Sequence, residues 1–207
     1  MSGLHRPLLR IWTDCHGVNL RWIIIVISAW VAAAALTHVG LPRIDPQAII
    51  QPVNLQQVGV VGLAGVAGAM SISLHQESAW LSAIGVRSMT RLRSLWFLTL
   101  TGSVLILGFV TSLVIPAGVP RFSGYLAIAV IWWAIATLAT VIGGQIPGLL
   151  APVIVAVLAT VKVVPWHANL IFRPELANVR FAAAIVGIIV TAAIYAHSGS
   201  AHTRRQT

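Results

Sequence analysis

The side chains that could perform chemistry are few in this sequence and do not form a complete catalytic motif. An intramembrane serine protease needs a GxSG nucleophile motif and a histidine in a later apolar segment. Residues 101–104 (TGSV) and 122–124 (FSG) match that motif only in part, and His197 follows the last apolar stretch. The seven histidines are scattered, without HExxH or similar metal-binding spacing. The sequence therefore predicts no catalytic site and no metal site on this chain.

Acidic groups, which ion-coupled carriers place inside the membrane as relays, are missing from the apolar stretches. Cys15 is the only cysteine, so an intrachain disulfide or a CxxC redox pair is impossible. Ion-coupled antiport and thiol redox chemistry are therefore disfavoured. The four acidic residues lie outside the apolar stretches or at their ends: Asp14, Asp45, Glu77 and Glu175.

Six apolar stretches must supply the elements that position any functional side chain. The chain of 207 residues is 58% hydrophobic and 8% charged, with a mean hydropathy of +0.92. A bilayer core about 30 Å thick is crossed by roughly 20 apolar residues in a helix, which also satisfies the backbone internally. We therefore expect an all-α integral membrane protein that forms one transmembrane domain over residues 1–207. The six predicted transmembrane helices cover residues 22–40, 57–74, 95–116, 124–143, 147–165 and 180–196.

The net charge of +9 would suggest nucleic acid in a soluble protein. Here the basic residues cluster between apolar stretches, which indicates membrane topology and contact with lipid headgroups instead. With a cytoplasmic N-terminus, eight basic residues lie inside and five outside. The positive-inside rule then places both termini in the cytoplasm. Residues 1–21 either form an interfacial amphipathic helix or are an ordinary juxtamembrane tail.

The basic segment, residues 75–94, is the most informative loop between apolar stretches. Helical spacing aligns Trp80 and Ile84 with Arg87 and Arg91, so apolar anchors precede the cations. A segment of this kind either docks on a soluble partner through a buried aromatic anchor or lies on anionic lipid. The residues that we predict for partner docking are Glu77, Trp80, Ile84, Arg87 and Arg91.

Small and aromatic residues mark two of the predicted helices. The second helix carries Gly59, Gly62, Gly65 and Gly68, whose small size favours close packing against more than one neighbouring helix. The fourth helix carries Trp132 and Trp133 near its middle, away from the membrane interface where tryptophan is enriched. The tryptophan pair either packs inside the bundle or lines a substrate path. The external segment, residues 164–179, is semi-apolar and contains two prolines, so we expect it to dip into the outer leaflet.

The order of these parts resembles the permease subunits of ABC-2 type ABC transporters. The resemblance rests on the interfacial N-terminal helix, six spans, cytoplasmic termini, the basic segment 75–94 and the external segment 164–179. It implies that residues 75–94 form the coupling helix that docks on an ATPase subunit. It also implies a second permease chain, identical or paralogous, in the plasma membrane of a prokaryote. ATP and Mg²⁺ would be bound by the partner subunit, with no cofactor on this chain and no nucleic-acid partner.

Under this resemblance the chain exports an apolar or amphipathic compound, such as a peptide antibiotic, a drug or a lipid-linked molecule. Two other classes of function remain open. One is an accessory or structural membrane subunit that moves no substrate. The other is an energy-independent pore, which the lack of an evident polar stripe makes less favourable.

Overall fold

The computed structural model describes residues 18–36, 57–74, 89–114, 123–160, 165 and 168–198. These residues are helical, with short connections. Two 3-10 turns, Ile72–Leu74 and Pro174–Leu176, adjoin the helices. Within these ranges there are six α-helices: α1 (Leu20–Leu36), α2 (Gln57–Ser71), α3 (Met89–Val114), α4 (Ser123–Gly143), α5 (Gln145–Thr160) and α6 (Ala177–Ser198).

Local side-chain and backbone chemistry sets two of the helix ends. Asn19 caps α1, because its Oδ1 accepts a hydrogen bond from the backbone N–H of Trp22 at 2.9 Å. Gly144 alone separates α4 from α5, with φ of 93°. Its N–H donates to the Thr140 carbonyl at 2.9 Å, and its carbonyl accepts from Gly148 N at 3.1 Å. A residue with a Cβ would be strained at this φ, so glycine permits the abrupt reversal.

Among the residues that the structure describes, three helices are long and apolar enough to cross a membrane: Arg93–Leu113, Gly124–Gly143 and Ala177–His197, of 21, 20 and 21 residues. The other three, α1, α2 and α5, are apolar but shorter, at 17, 15 and 16 residues. At 1.5 Å per residue, α5 is about 24 Å long, against a hydrocarbon core of about 30 Å. The described helices are therefore compatible with a membrane protein.

The central helix of the bundle is α4, which packs against α2, α3, α5 and α6. Its apolar span is 61% buried, compared with 33% for α3 and 22% for α6. The interior contains small and aromatic side chains such as Ala64, Ala136 and Trp133, whereas α6 exposes large aliphatic ones such as Ile185 and Ile189. An apolar exterior around a core that includes small residues fits helices that pack together in lipid.

Most of the predicted helix starts differ from the structure by one to three residues, and two differences change the predicted segments. The last residues of the basic segment, 89–94, form the start of α3, which we had expected to begin at residue 95. Polar and charged side chains can extend a transmembrane helix beyond the apolar core, and Ser94 Oγ donates to the Thr90 carbonyl at 2.8 Å within this extension. Within the external segment, residues 177–179 already belong to α6. The predicted interfacial segment 1–21 lies mostly outside the described residues.

Candidate functional site

The structure describes only the C-terminal part of the basic segment, residues 89–94. Glu77, Trp80, Ile84 and Arg87 lie outside the described residues. Arg91 lies in the first turn of α3 and is exposed. This turn is continuous with the rest of α3, a helix of 26 residues that is about 39 Å long.

A largely buried 3-10 turn, Ile72–Leu74, directly precedes the basic segment in the sequence. Leu74 is fully buried, and the turn Ile72–Leu74 contacts both α4 and α5. Ser73 is also buried, and its Oγ donates to the Met70 carbonyl at 2.8 Å. The chain is therefore fixed to the α4–α5 hairpin immediately before residue 75.

The glycines of α2 lie in different surroundings. A Cβ built on Gly62 would lie 2.9 Å from Ala33 Cβ of α1, and one built on Gly68 would lie 2.5 Å from the Leu149 carbonyl oxygen of α5. A Cβ on Gly65 would have no neighbour within 4 Å. Gly59 is buried. In this structure α2 therefore approaches two neighbouring helices closely, at two separate glycines.

A second close approach joins α5 to α4 and α2 at Gly148. A Cβ at this position would overlap Thr140 Oγ1 and would lie 2.9 Å from Ser71 Oγ. Both hydroxyl groups are buried and donate within their own helices, to the carbonyls of Ala136 and Gly68 at 2.8 Å each. The turn into the basic segment thus adjoins a junction where the backbone of α5 at Gly148 packs closely against small side chains of α4 and α2.

Trp132 and Trp133 are both enclosed by the bundle, with no exposed surface. Trp133 Nε1 donates to Thr101 Oγ1 at 2.9 Å, which ties α4 to α3. The Trp133 ring stacks on Phe97, with centroids 6.0 Å apart, and Phe97 also meets Tyr195 of α6 at 6.1 Å. Trp132 Nε1 is buried and has no hydrogen-bond partner among the described residues. In this conformation the tryptophan pair lies in the packed core.

Sequence reasoning missed a polar tie between α1 and α3. Trp30 Nε1 donates to Thr111 Oγ1 at 2.8 Å and lies 3.2 Å from the Leu107 carbonyl oxygen. The Thr111 hydroxyl in turn donates to that carbonyl at 2.7 Å. The residues are about 80 positions apart in sequence, so no local pattern could have paired them.

The bonding inside the external segment was also missed. Asn169 is buried; its Nδ2 donates to the Ala159 carbonyl at 2.9 Å, and its Oδ1 accepts from Ile171 N and Phe172 N at 3.2 Å. The segment is therefore fastened to the end of α5. The one available signal was a polar amide between apolar residues.

Arg180 fastens the same segment to α6. Its side chain is buried, with Nε donating to the Leu170 carbonyl at 2.9 Å and Nη2 donating to the Arg173 carbonyl at 2.8 Å. Arg173 itself forms an ion pair with Glu175. The two backbone carbonyls compensate part of the cost of burying the Arg180 guanidinium.

In the described parts of the chain, no three His, Cys, Asp or Glu side chains form a group that could hold a metal ion. Comparisons with protein-family models, with curated proteins and with solved structures found no match to this chain. Its function must therefore be inferred from the residues and their placement.

Proposed function

We propose that this chain is the transmembrane subunit of an ATP-driven ABC transporter of the ABC-2 type. It pairs with a second permease chain in the plasma membrane of a prokaryote and rests on a separate ATPase subunit. Its six helices cross the bilayer, with both termini in the cytoplasm, and it exports an apolar or amphipathic compound. The observation that carries the proposal is that residues 75–88 are flanked by two attachments to the bundle: buried Leu74 before them and the start of α3 after them.

These two attachments give the basic segment a mechanical role. The partner subunit binds and hydrolyses ATP with Mg²⁺ and supplies the free energy. Movement of residues 75–88 then reaches the bundle by two routes. One route runs through Arg91 into α3 as a rigid rod, and the other runs through Leu74 into the α4–α5 hairpin. Since α4 touches α2, α3, α5 and α6, a shift of either contact displaces the centre of the bundle.

The polar groups buried in the described helices and connections support an apolar or amphipathic cargo. Apart from Arg180, they are hydroxyl, amide and indole groups, with no buried carboxylate among the described residues. Groups that bind or relay ions across a membrane are usually ionisable. Arg180 is bonded to backbone carbonyls at the start of α6, which favours a structural role for it.

An accessory membrane subunit is the second candidate function. The observation that favours it is the close packing of α4, where Trp132 and Trp133 have no exposed surface. A subunit that only braces a larger complex needs no path through its own helices. The transporter proposal places the path between two permease chains, so the two functions differ in whether an ATPase binds.

The docking role is tested with the Trp80→Ala variant and the paired Arg87→Glu/Arg91→Glu variant in the assembled complex. An aromatic anchor at an interface contributes about 2 kcal/mol or more, so ATPase binding should weaken by roughly 30-fold. Substrate-stimulated ATP turnover should fall in parallel, while membrane insertion is unchanged. The measurement is the amount of ATPase that co-purifies with the tagged chain at a series of ATPase concentrations.

The matched control is the Arg204→Glu/Arg205→Glu variant, which makes the same charge change on the same predicted face but outside the basic segment. It should retain the ATPase. Undiminished ATPase binding and turnover in both test variants would contradict the docking role of residues 75–94.

A further inference from the structure

A small apolar cavity lies where the first four helices meet. Its volume is about 20 Å³. By volume it could hold one water molecule, which needs about 10–15 Å³ and two to four polar partners. The lining supplies one side-chain donor, the Trp30 indole N–H, which is already bonded to Thr111. The cavity therefore suits an apolar guest better than water. Its lining residues are Trp30, Leu63, Val66, Ala67, Met70, Val104, Leu107, Gly108 and Ala129.

Trp30 lines this cavity on the side where α1 and α3 face each other. The helix α1 packs mainly on α2 and contacts α3 only slightly. The indole of Trp30 nevertheless reaches across to α3 and hydrogen-bonds to Thr111 Oγ1. A single side chain thus bridges two helices whose backbones are not tightly packed.

The outer surfaces next to this tie are apolar. On α1, Ile27 and Val31 are about half exposed, and on α3 so are Leu105 and Phe109. In a bilayer these surfaces contact hydrocarbon, so hydrocarbon is what reaches the gap between α1 and α3. Apart from Trp30, the lining side chains are apolar; Leu107 is partly buried and the others are buried, with Met70 only 2% exposed.

We propose that Trp30 is a side-chain gate over an apolar crevice that accepts one hydrocarbon chain of a bilayer lipid. With the indole bonded to α3, the Trp30 ring occupies part of the space between the two helices, and the small cavity is what remains of the crevice. When the indole turns away, the space that it occupied joins the cavity and opens it between α1 and α3. This inference rests on the proposed placement of the bundle in a bilayer and does not depend on an ATPase partner.

The test uses the full chain, purified and reconstituted into vesicles of phosphatidylethanolamine and phosphatidylglycerol. A trace phospholipid with a photoactivatable diazirine in its acyl chain labels the residues that hydrocarbon reaches, and mass spectrometry maps the adducts. Exposed Ile185 and Ile189 of α6 report ordinary lipid contact. Met70, deep in the crevice, reports entry.

The Trp30→Phe variant removes the N–H donor and keeps an aromatic ring. Loss of one such bond should favour the open position by about three- to tenfold, with a matching rise in Met70 labelling. Adding Ala67→Leu to that variant fills the crevice and should return Met70 labelling to background. Trp133→Phe, which removes a buried indole bond outside the crevice, should leave Met70 labelling unchanged.

Elution of each variant as a single species in detergent verifies that it folds. If Ala67→Leu does not fold, Gly108→Ala is the smaller filling change, since its Cβ would lie 3.2 Å from Leu126 Cδ1 and 3.3 Å from Ala129 Cβ. Met70 labelling that is the same in wild type, Trp30→Phe and the filled variants, while α6 is labelled normally, would overturn the proposal. That outcome would leave the transporter proposal standing, because ATPase binding is measured separately.

Discussion

At the scale of single residues, Asn169 shows what sequence can and cannot reveal. Its position inside a semi-apolar segment was visible, and the segment was expected to dip into the membrane. Its hydrogen bonds were not visible in the sequence, because the Ala159 carbonyl lies ten residues earlier and meets Asn169 only after the chain has turned. One amide side chain forms hydrogen bonds with three backbone groups, so Asn169 contributes more to the stability of the fold than an exposed polar side chain in a loop.

Asn169→Ala should therefore destabilise the protein by roughly 1–3 kcal/mol, because it leaves buried backbone groups without partners. The measurement is the free energy of unfolding of the purified chain in detergent, from a denaturant titration. Asn178→Ala is the matched control, since Asn178 is exposed at the start of α6, and it should change stability by less than about 0.5 kcal/mol. Equal effects of the two substitutions would show that the bonds of Asn169 contribute nothing.

At the scale of helices, the glycines of α2 were predicted as one packing set. Their three-residue spacing drifts around the helix, so the sequence could indicate several neighbours without naming them. The structure places Ala33 of α1 beside Gly62 and Leu149 of α5 beside Gly68, and it leaves Gly65 open. Which glycine meets a helix depends on where α1 and α5 lie, and that is a property of the whole bundle.

Gly68→Ala and Gly65→Ala make the same chemical change in two environments. The new Cβ at Gly68 would press on a backbone carbonyl that cannot move alone, so we expect a loss of about 1–3 kcal/mol. At Gly65 the methyl group meets open space, and alanine's higher helix propensity should leave stability unchanged or raise it by up to about 1 kcal/mol. Thermal unfolding of both variants in one detergent gives the comparison. A Gly68→Ala protein as stable as Gly65→Ala would contradict the close approach of α2 and α5.

At the scale of the whole molecule, the sequence and the structure differ in the number of helices that they support as membrane-spanning. The sequence predicts six, whereas three helices of the structure have both the length and the composition to cross. Helices of 15–17 residues can still span where the bilayer thins locally, at a modest free-energy cost. Hydropathy finds apolar stretches reliably, but it does not fix the helix ends, which are set by caps such as Asn19 and turns such as Gly144.

Cysteine labelling tests whether the shorter helix α5 crosses the membrane together with α3, α4 and α6. Two single cysteines are introduced in a Cys15→Ser background. Ser78→Cys precedes α3 in the sequence and His202→Cys follows α6, so four of the described helices separate the two positions. If all four helices cross, both cysteines face the cytoplasm, and a membrane-impermeant maleimide should label neither in intact cells and both after lysis. Labelling of only one of them in intact cells would show that an odd number of these helices crosses and would contradict six spans.

The central claim is that this chain binds an ATPase subunit, which drives transport. The most direct measurement is affinity purification of the tagged chain from its native membrane in mild detergent, with mass spectrometry of what co-purifies. The transporter account predicts a soluble ATPase at a fixed ratio to this chain, and its loss in the Arg87→Glu/Arg91→Glu variant. A pure, folded preparation without any ATPase would contradict the account and would favour an accessory membrane subunit.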